Sequence, residues 1–340
     1  DLVQHFTGTS QKWFTFTNGA HIDSLDPYTY DRWYDFLQLF VAHKAPIVNQ
    51  AATRAAAPAI YQAAMGLPQS DVVTLPPDSI QEQPDYRSAL SAFQALPEVR
   101  VLFDNGAGSS PGASSNPGDP YPAFEQSFSG LPIPGTTAQT WYFGAGGRDW
   151  QHNPSGSAVS YTSQPLTAAA TAIGGGAVNA WVESSTPDVD LQATVSEVRP
   201  DGNETFVQNG WIRASERKLS TDSNNIFKQP STTLEPIPTF VAGDAQPMPA
   251  GQFAQVTIPL YFQGHVYRAG SRIKVTIAAP NGTQPIWSFA ETQPPSGTAT
   301  ESVAFSNTMP SSLSLPVVPG VSAPAALPPC PSLRNEPCRP

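Results

Sequence analysis

The sequence predicts two regions of different fold class: a helix-bearing α/β segment over residues 1 to about 110, then an all-β sandwich or jelly roll. Three observations predict it. Proline and glycine are abundant, at 37 and 25 of 340 residues. Such a chain cannot be mostly helix, because proline breaks both helices and central strands. Helical spacing and capping signals occur in the first hundred residues. Beyond residue 135, short strand-like runs follow one another between turns.

The first strand is "KWFTFT", Lys12 to Thr17, by its aromatic and β-branched content, and "NGAH" is the turn after it. "DPYTYDRWYDFLQLFVAHKAP" then reads as a helix, with Asp26 as N-cap, Pro27 in the first helical position and Pro46 as the stop. Helical spacing places Tyr30, Trp33, Tyr34, Leu37, Phe40 and Val41 on one face, which predicts a core-facing stripe rather than a ligand box. The alanine-rich stretch from Asn49 to Met65 is helical, with a break or kink expected at Pro58. "PDYRSALSAFQAL" is a short amphipathic helix, and "VRVLF" (Val99 to Phe103) is an apolar run of the kind buried in a parallel sheet. That run ends in a sharp turn, "DNGAG".

Residues 104 to 135 are dominated by Gly, Pro and Ser and predict a connecting loop or domain boundary. The clearest strands after it are "TTAQTWYFG", "SAVSYTS", "GAVNAWVESS", "VDLQATVSEVRP", "ETFVQNGWIRASER", "AQVTIPLYFQ" and "SRIKVTIAAP". Alternation such as Leu191, Ala193 and Val195 on one face marks a half-buried antiparallel sheet, and "RPDGNET" carries the Asp-Gly hairpin signal. No internal repeat is present.

A net charge of −10 and a pI near 4.9 argue against a nucleic-acid partner, which would require a basic face. No apolar run reaches transmembrane length, so no membrane partner is expected. The two cysteines, Cys330 and Cys338, lie in "LPPCPSLRNEPCRP" and read as a small disulfide loop stiffened by proline. A pair of free thiols is the competing reading, and a zinc site lacks nearby histidines. A disulfide implies an oxidising compartment, hence a secreted protein, and "DLVQHF" reads as a mature or internal start.

Two long stretches carry a family resemblance. "AVNAWVESSTPDVDLQATVSEVRPDGNETFVQNGWIRASER" contains an acidic turn at Pro187-Asp188-Val189-Asp190. It continues as Val198-Arg199-Pro200-Asp201-Gly202 and then reaches Gly210-Trp211-Ile212-Arg213-Ala214. "IPLYFQGHVYRAGSRIKVTIAAPN" adds His265, Gly270, Arg272 and Ile273. With these motifs the chain resembles the C-terminal portion of the CocE/NonD hydrolases, the cocaine-esterase and X-Pro dipeptidyl-peptidase-like serine hydrolases. The resemblance implies the C-terminal portion of an α/β-hydrolase catalytic domain over residues 1–110, a linker over 111–135 and a jelly-roll domain over 136–320. Residues 321–340 are a Pro-rich tail outside the resemblance. It further implies cleavage of acyl ester or amide bonds, X-Pro peptides among them, through an acyl-enzyme and without metal or organic cofactor.

In that family the triad histidine sits on the turn after the last strands of the α/β domain, and His21 matches by position: strand, "TNGAH", helix. The physical need is an imidazole that reaches a serine hydroxyl while a carboxylate fixes its tautomer. The competing reading is a surface turn histidine that caps the following helix. Of the others, His5 is near the start, His43 ends a helix, His152 lies in a polar loop and His265 reads as structural. Asp23 and Asp26 follow His21 but are better explained as a turn former and a helix cap. The α/β-hydrolase order is Ser, then Asp or Glu, then His, so the acid is expected upstream of residue 1.

"GSSPG", Gly108 to Gly112, formally satisfies G-x-S-x-G with Ser110 at its centre. Pro111 removes an N–H that the oxyanion hole needs, no helix can begin after it, and it follows His21 in the wrong order. The Ser215 to Lys218 match to S-x-x-K falls on a predicted strand and is weaker. The expected partner is therefore an N-terminal portion of the same hydrolase that carries serine and acid, acting on a small ester, amide or peptide substrate. The alternative is a non-catalytic carbohydrate- or protein-binding β-sandwich with a vestigial hydrolase segment. Trp141, Trp150, Trp181, Trp211 and Trp287 are available to stack on sugars, and Asp188 with Asp190 to hold calcium. Asn203 and Asn281 head glycosylation sequons.

This chain alone is expected to hydrolyse no p-nitrophenyl ester. Turnover by the isolated chain, abolished by Ser110→Ala, would overturn both the placement of the nucleophile upstream and the rejection of "GSSPG".

Overall fold

The computed structural model describes residues 2–19, 21–68, 70–108, 116–143, 151–155, 158–280, 299–333, 336, 338 and 339. It divides into two units, residues 2–134 with 321–339, and residues 135–320.

In the first unit, β1 (Phe14–Thr17) leads through the His21 turn to α1 (Pro27–Phe36). Next come α2 (Gln50–Met65), α3 (Tyr86–Gln94), β2 (Val99–Phe103) and β3 (Phe124–Phe128). β1 pairs parallel with β2, from Phe14 opposite Val99 to Thr17 opposite Leu102, and β3 lies antiparallel on the other side of β2. A parallel pair requires a long crossover, and the three helices lie in it. Every residue of β2 is buried, as its apolar run predicts. β3 lies inside the stretch that reads as a connecting loop. Its central residues Glu125, Gln126 and Ser127 carry no strand signal, and its pairing is supported by Arg100 of β2, whose Nε donates to Glu125 Oε2 at 3.0 Å.

Two expectations about the helices are corrected. The predicted aromatic stripe on α1 is not the buried face: Trp33 is 55% exposed and Val41 66%. The buried stripe is Asp31, Asp35 and Leu39, at i, i+4 and i+8, the last on a π-helical turn (Leu37–Val41) that continues α1. Polar partners from elsewhere in the unit make that face buriable. Phe40 does pack inward, its ring 5.7 Å from that of Phe93, beside the Leu39, Ile80 and Ala89 cluster. Pro58, in turn, does not break α2. A proline there leaves the Arg54 carbonyl without its helical donor, and the Thr74 hydroxyl supplies one at 3.1 Å. In the tail, Cys330 and Cys338 are disulfide-bonded, with Cα atoms 5.6 Å apart.

The second unit is a β-sandwich. Its strands are β4 (Thr137–Tyr142), β5 (Gln151–Ser155), β6 (Ala158–Thr162), β7 (Ala170–Gly174), β8 (Ala177–Ser184) and β9 (Asp190–Val198). They continue with β10 (Glu204–Arg213), β11 (Ala254–Pro259), β12 (Gln263–Tyr267), β13 (Arg272–Ala278), β14 (Glu301–Ala304) and β15 (Ser312–Val318). One sheet runs β10-β9-β13-β6-β5 and the other β11-β8-β15-β7-β12, with β14 on β8 and β4 on β15. Alternating apolar residues of both sheets form one core, including the predicted Leu191, Ala193 and Val195 with Val256, Ile258, Leu313 and Leu315.

The stretches that carry the family resemblance tie this sandwich together. Gly210 on β10 is where the Pro259 carbonyl of β11 sits against the chain, and a Cβ there would collide with it. Arg213 donates to Asp190 at 2.8 Å, and Asp188 accepts from the Ser215 N–H and hydroxyl at 3.0 and 2.8 Å. Arg199 pairs with Asp201 at 2.7 Å, in the hairpin where Gly202 takes a left-handed φ of 88°. His265, on β12, meets Glu197, on β9, at 2.9 Å, and both side chains are 2% exposed. Ser271 and the Arg268 N–H donate to the same carboxylate. Burial alone would raise the Glu197 carboxyl, but the bonds from His265, Ser271 and Arg268 outweigh it and hold it below its ordinary value.

A depressed carboxyl stabilises the fold above its unfolded value and loses that contribution as the pH falls through its folded value. Acid unfolding of the sandwich should therefore steepen below about pH 4.5, and Glu197→Gln should flatten that limb. His265→Ala, which removes one of the three groups that bond the buried Glu197 carboxylate, should cost about 1–3 kcal/mol by urea denaturation at neutral pH. A cost below about 1 kcal/mol would show that the pair does not hold the sheets together.

Candidate functional site

The sequence-predicted base, His21, stands at the carboxyl end of β1, where open α/β sheets place their ligands. It is exposed, and it begins a short 3-10 helix, His21–Leu25. Asp26 follows as a true N-cap: Oδ1 accepts from the Tyr28 and Thr29 N–H groups at 2.8 and 3.0 Å, and Oδ2 from the Thr29 hydroxyl at 2.7 Å. Pro27 holds the first helical position, as the sequence predicts. Burial pushes the Asp26 carboxyl up to about 6 even though the bonds from Thr29 and Tyr28 pull it down. The Asp23 carbonyl closes the turn on the Asp26 N–H at 3.0 Å, while the Asp23 side chain is buried beneath.

The neighbouring turn, at the carboxyl end of β2, comes against this one. Asn105, fully buried, gives its N–H to Asn18 Oδ1 at 2.8 Å and its side-chain amide to Thr17 Oγ1 at 3.1 Å. The "DNGAG" turn read from the sequence as simple punctuation thus takes part in the site. An Asn-Gly pair at each strand end, Asn18-Gly19 and Asn105-Gly106, was the signal that could have paired them.

On the helix that follows, the buried face of α1 forms a second polar group that sequence periodicity missed. Gln81 Nε2 donates to Asp31 Oδ1 at 3.3 Å and to Asp35 Oδ1 at 3.2 Å, and Asp78 stands beside Asp35. Burial first, then the Asp78 charge, raise these carboxyls to about 7 for Asp31 and about 8 for Asp35. The Gln81 bond pulls both down, and Arg54 and Arg100 lower Asp31 further. The i, i+4 spacing of the two aspartates was visible in the sequence but reads equally as a solvated face.

The remaining candidates disperse. Ser110, Trp150, Trp287 and Asn281 lie outside the described residues. Ser215 falls on a 3-10 turn (Ala214–Glu216) rather than a strand and bonds Asp188, while Lys218 pairs with Asp244, so S-x-x-K is no catalytic pair here. His43 takes a left-handed φ of 51° just past the π-helical turn, and His265 is buried on Glu197. Trp141 is a core residue; Trp181 and Trp211 are half-buried, and Trp211 packs edge-on against Tyr261. Among the described residues no group of three or more His, Cys, Asp or Glu side chains is placed to hold a metal, and no helix is long and apolar enough to cross a membrane.

Residues 91–314 match the family described as the X-Pro dipeptidyl-peptidase C-terminal non-catalytic domain. The chain belongs to this family. In sequence it is 29% identical over 125 residues to proteins of Mycobacterium bovis and Mycobacterium tuberculosis, each named "Putative serine esterase". Those alignments cover 37% of this chain and 19% of each relative. In fold it is similar to a CocE/NonD family hydrolase from Staphylococcus aureus, with a TM-score of 0.59 at 15% identity. That match covers 91% of this chain and 50% of the other, so the chain spans about half the length of that hydrolase. His21, Thr17 and Asn18 precede the segment matched as non-catalytic, whereas Asn105 lies within it.

The carboxyls on the buried face of α1 give a pH dependence of opposite sign to that of Glu197. A raised folded value stabilises the fold fully below the unfolded value and is lost as the pH rises through about 7 to 8. The full chain should therefore unfold more readily at pH 9 than at pH 6, and Asp35→Asn should be the more stable protein at pH 9, by about 1–3 kcal/mol. Urea midpoints at the two pH values decide it; an Asp35→Asn that is no more stable at pH 9 than the natural chain refutes the assignment.

Proposed function

We propose that residues 2–134 close an α/β-hydrolase catalytic domain and that His21 is its triad histidine. The protein is then the C-terminal part of a secreted serine hydrolase that cleaves acyl ester or amide bonds, X-Pro peptides among its candidate substrates. The observation that carries the reading is the exposed His21 at the carboxyl end of a strand paired in parallel with its neighbour. The similarity in fold to a CocE/NonD family hydrolase supports it. The disulfide between Cys330 and Cys338 supports an oxidising compartment, hence secretion.

In this reading the nucleophilic serine and the acid belong to an upstream portion of the same hydrolase. The serine Oγ attacks the acyl carbon as His21 takes its proton, and the tetrahedral intermediate collapses to the acyl-enzyme. His21 returns that proton to the departing alcohol or amine. It then takes a proton from water, whose oxygen attacks the acyl carbon, and restores the proton to the serine. In this reading the sandwich takes no chemical step: in its Ser–Glu–His contact, Ser271 and His265 both bond the Glu197 carboxylate, which stands between them.

His21→Ala in the assembled hydrolase should lower kcat on the order of 10³-fold or more, and labelling by a fluorophosphonate probe should fall in parallel. The unfolding midpoint should stay put, because His21 is exposed. Near-normal kcat in His21→Ala sinks the triad reading and leaves the binding-module alternative, to which the non-catalytic description of residues 91–314 also conforms.

A further inference from the structure

We infer that Asn105 is a positioning residue for the reaction: with Thr17 and Asn18 it braces the peptide that carries His21, although it lies in the segment matched as non-catalytic. The inference rests on the reading of His21 as the triad base.

The need for a brace follows from the local structure. His21 is exposed and opens a 3-10 helix of five residues, too short to hold a side chain by its own ladder. A triad imidazole must nevertheless stay within a fraction of an ångström of its productive place. Rigidity has to come from the chain just before it, and that chain is held at three points. Thr17 Oγ1 accepts from the Gly19 N–H at 3.2 Å, which closes the turn locally. The same oxygen accepts from Asn105 Nδ2 at 3.1 Å, across 88 residues of sequence. Asn18 Oδ1 takes the Asn105 N–H at 2.8 Å, with both residues no more than 1% exposed. A single residue of the neighbouring strand end therefore grips both residues that lead into the turn.

Two features show that the chain is built to present Asn105 there. Asp104, the residue before it, is fully buried with a left-handed φ of 50°, a conformation that side chains other than glycine seldom take. It turns the chain at the end of β2 so that both donors of Asn105 reach the β1 turn. Gly19 leaves the room: a Cβ on it would meet Asn105 Nδ2 at 2.8 Å and collide with Asp23 Oδ2. Asp23, from the turn of His21 itself, thus packs beside Asn105 against the same side of Gly19.

The test uses the full-length hydrolase for kinetics and this chain for structure. Thr17→Val keeps the shape and removes the shared acceptor, and Asn105→Ala removes the side-chain donor. Each should lower kcat about 10- to 100-fold with KM within about twofold, the signature of a misplaced catalytic group. Thr17→Ser, which keeps the hydroxyl, should restore most of the rate lost in Thr17→Val. In the chain itself, hydrogen exchange at the Gly19 amide should speed up in Thr17→Val. If Thr17→Val also lowers the unfolding midpoint, Asn18→Ala decides: loss of kcat at an unchanged midpoint supports the brace, and an unimpaired kcat overturns it. His21→Ala separates the two readings. If it abolishes turnover while Thr17→Val and Asn105→Ala keep full kcat, the brace is wrong and the triad assignment stands. If His21→Ala itself keeps kcat, the triad assignment fails and the positioning role falls with it.

Discussion

The parallel ladder between Phe14–Thr17 and Val99–Leu102 is four residues long, and the rest of the first unit depends on it. Because the two strands run the same way, their carboxyl ends lie together, and the turns at Asn18 and Asn105 meet although 87 residues separate them. The same geometry forces the connecting chain into a long crossover, which is why α1, α2 and α3 lie between the two strands in sequence. Antiparallel pairing in the same place would put the turn after β1 and the turn after β2 at opposite ends of the ladder. No contact between Thr17, Asn18 and Asn105 could then form.

The interior that this ladder supports is unusually polar. Asp23, Asp26, Asp31, Asp35 and Asp104 are all buried in the first unit, while the sandwich buries a largely apolar core. A buried carboxylate is costly unless it is bonded or protonated. Asp26 is bonded as a helix cap. Asp31 and Asp35 share one amide from Gln81 between them, and their second oxygens have no hydrogen-bond partner among the described residues. Protonation is the remaining way to relieve them, and the raised values of both carboxyls express that. The helix that follows the His21 turn is thus held to the unit through groups that titrate near neutrality, whereas the sandwich is held by packing and by ion pairs formed below it. Asp31 and Asp35 on the one hand and Glu197 on the other are therefore expected to answer pH in opposite directions.

In the sandwich, the motif residues that identify the family act as ties. Asp188, Asp190 and Arg213 link the acidic turn to the end of β10, Arg199 and Asp201 close a hairpin, and Glu197 with His265 joins the two sheets. Each pairs groups distant in sequence, except the hairpin, and each leaves its carboxylates occupied by protein donors. The charged residues of these sandwich motifs bond one another within the fold. In the proposed reading, chemistry belongs to the turn that precedes the matched segment.

What the sequence determined by itself is local. Capping at Asp26 and Pro27, the alternation of Leu191, Ala193 and Val195, the buried run of β2 and the Asp-Gly hairpin are set by neighbouring residues and were legible there. The placement of His21 on a strand-to-helix turn was legible for the same reason. The buried face of α1 was not, because hydropathy ranks Trp33 above Asp31 and only the arrival of Gln81 from another segment makes the aspartates buriable. The persistence of α2 through Pro58 depends on a hydroxyl from Thr74, and the strand β3 on the Arg100 side chain; neither leaves a trace in local periodicity. The brace beneath His21 required the tertiary structure most of all. In sequence Thr17 looks like an ordinary strand residue and Asn18 and Asn105 like ordinary turn formers, and only the parallel register of β1 on β2 brings them within hydrogen-bond distance.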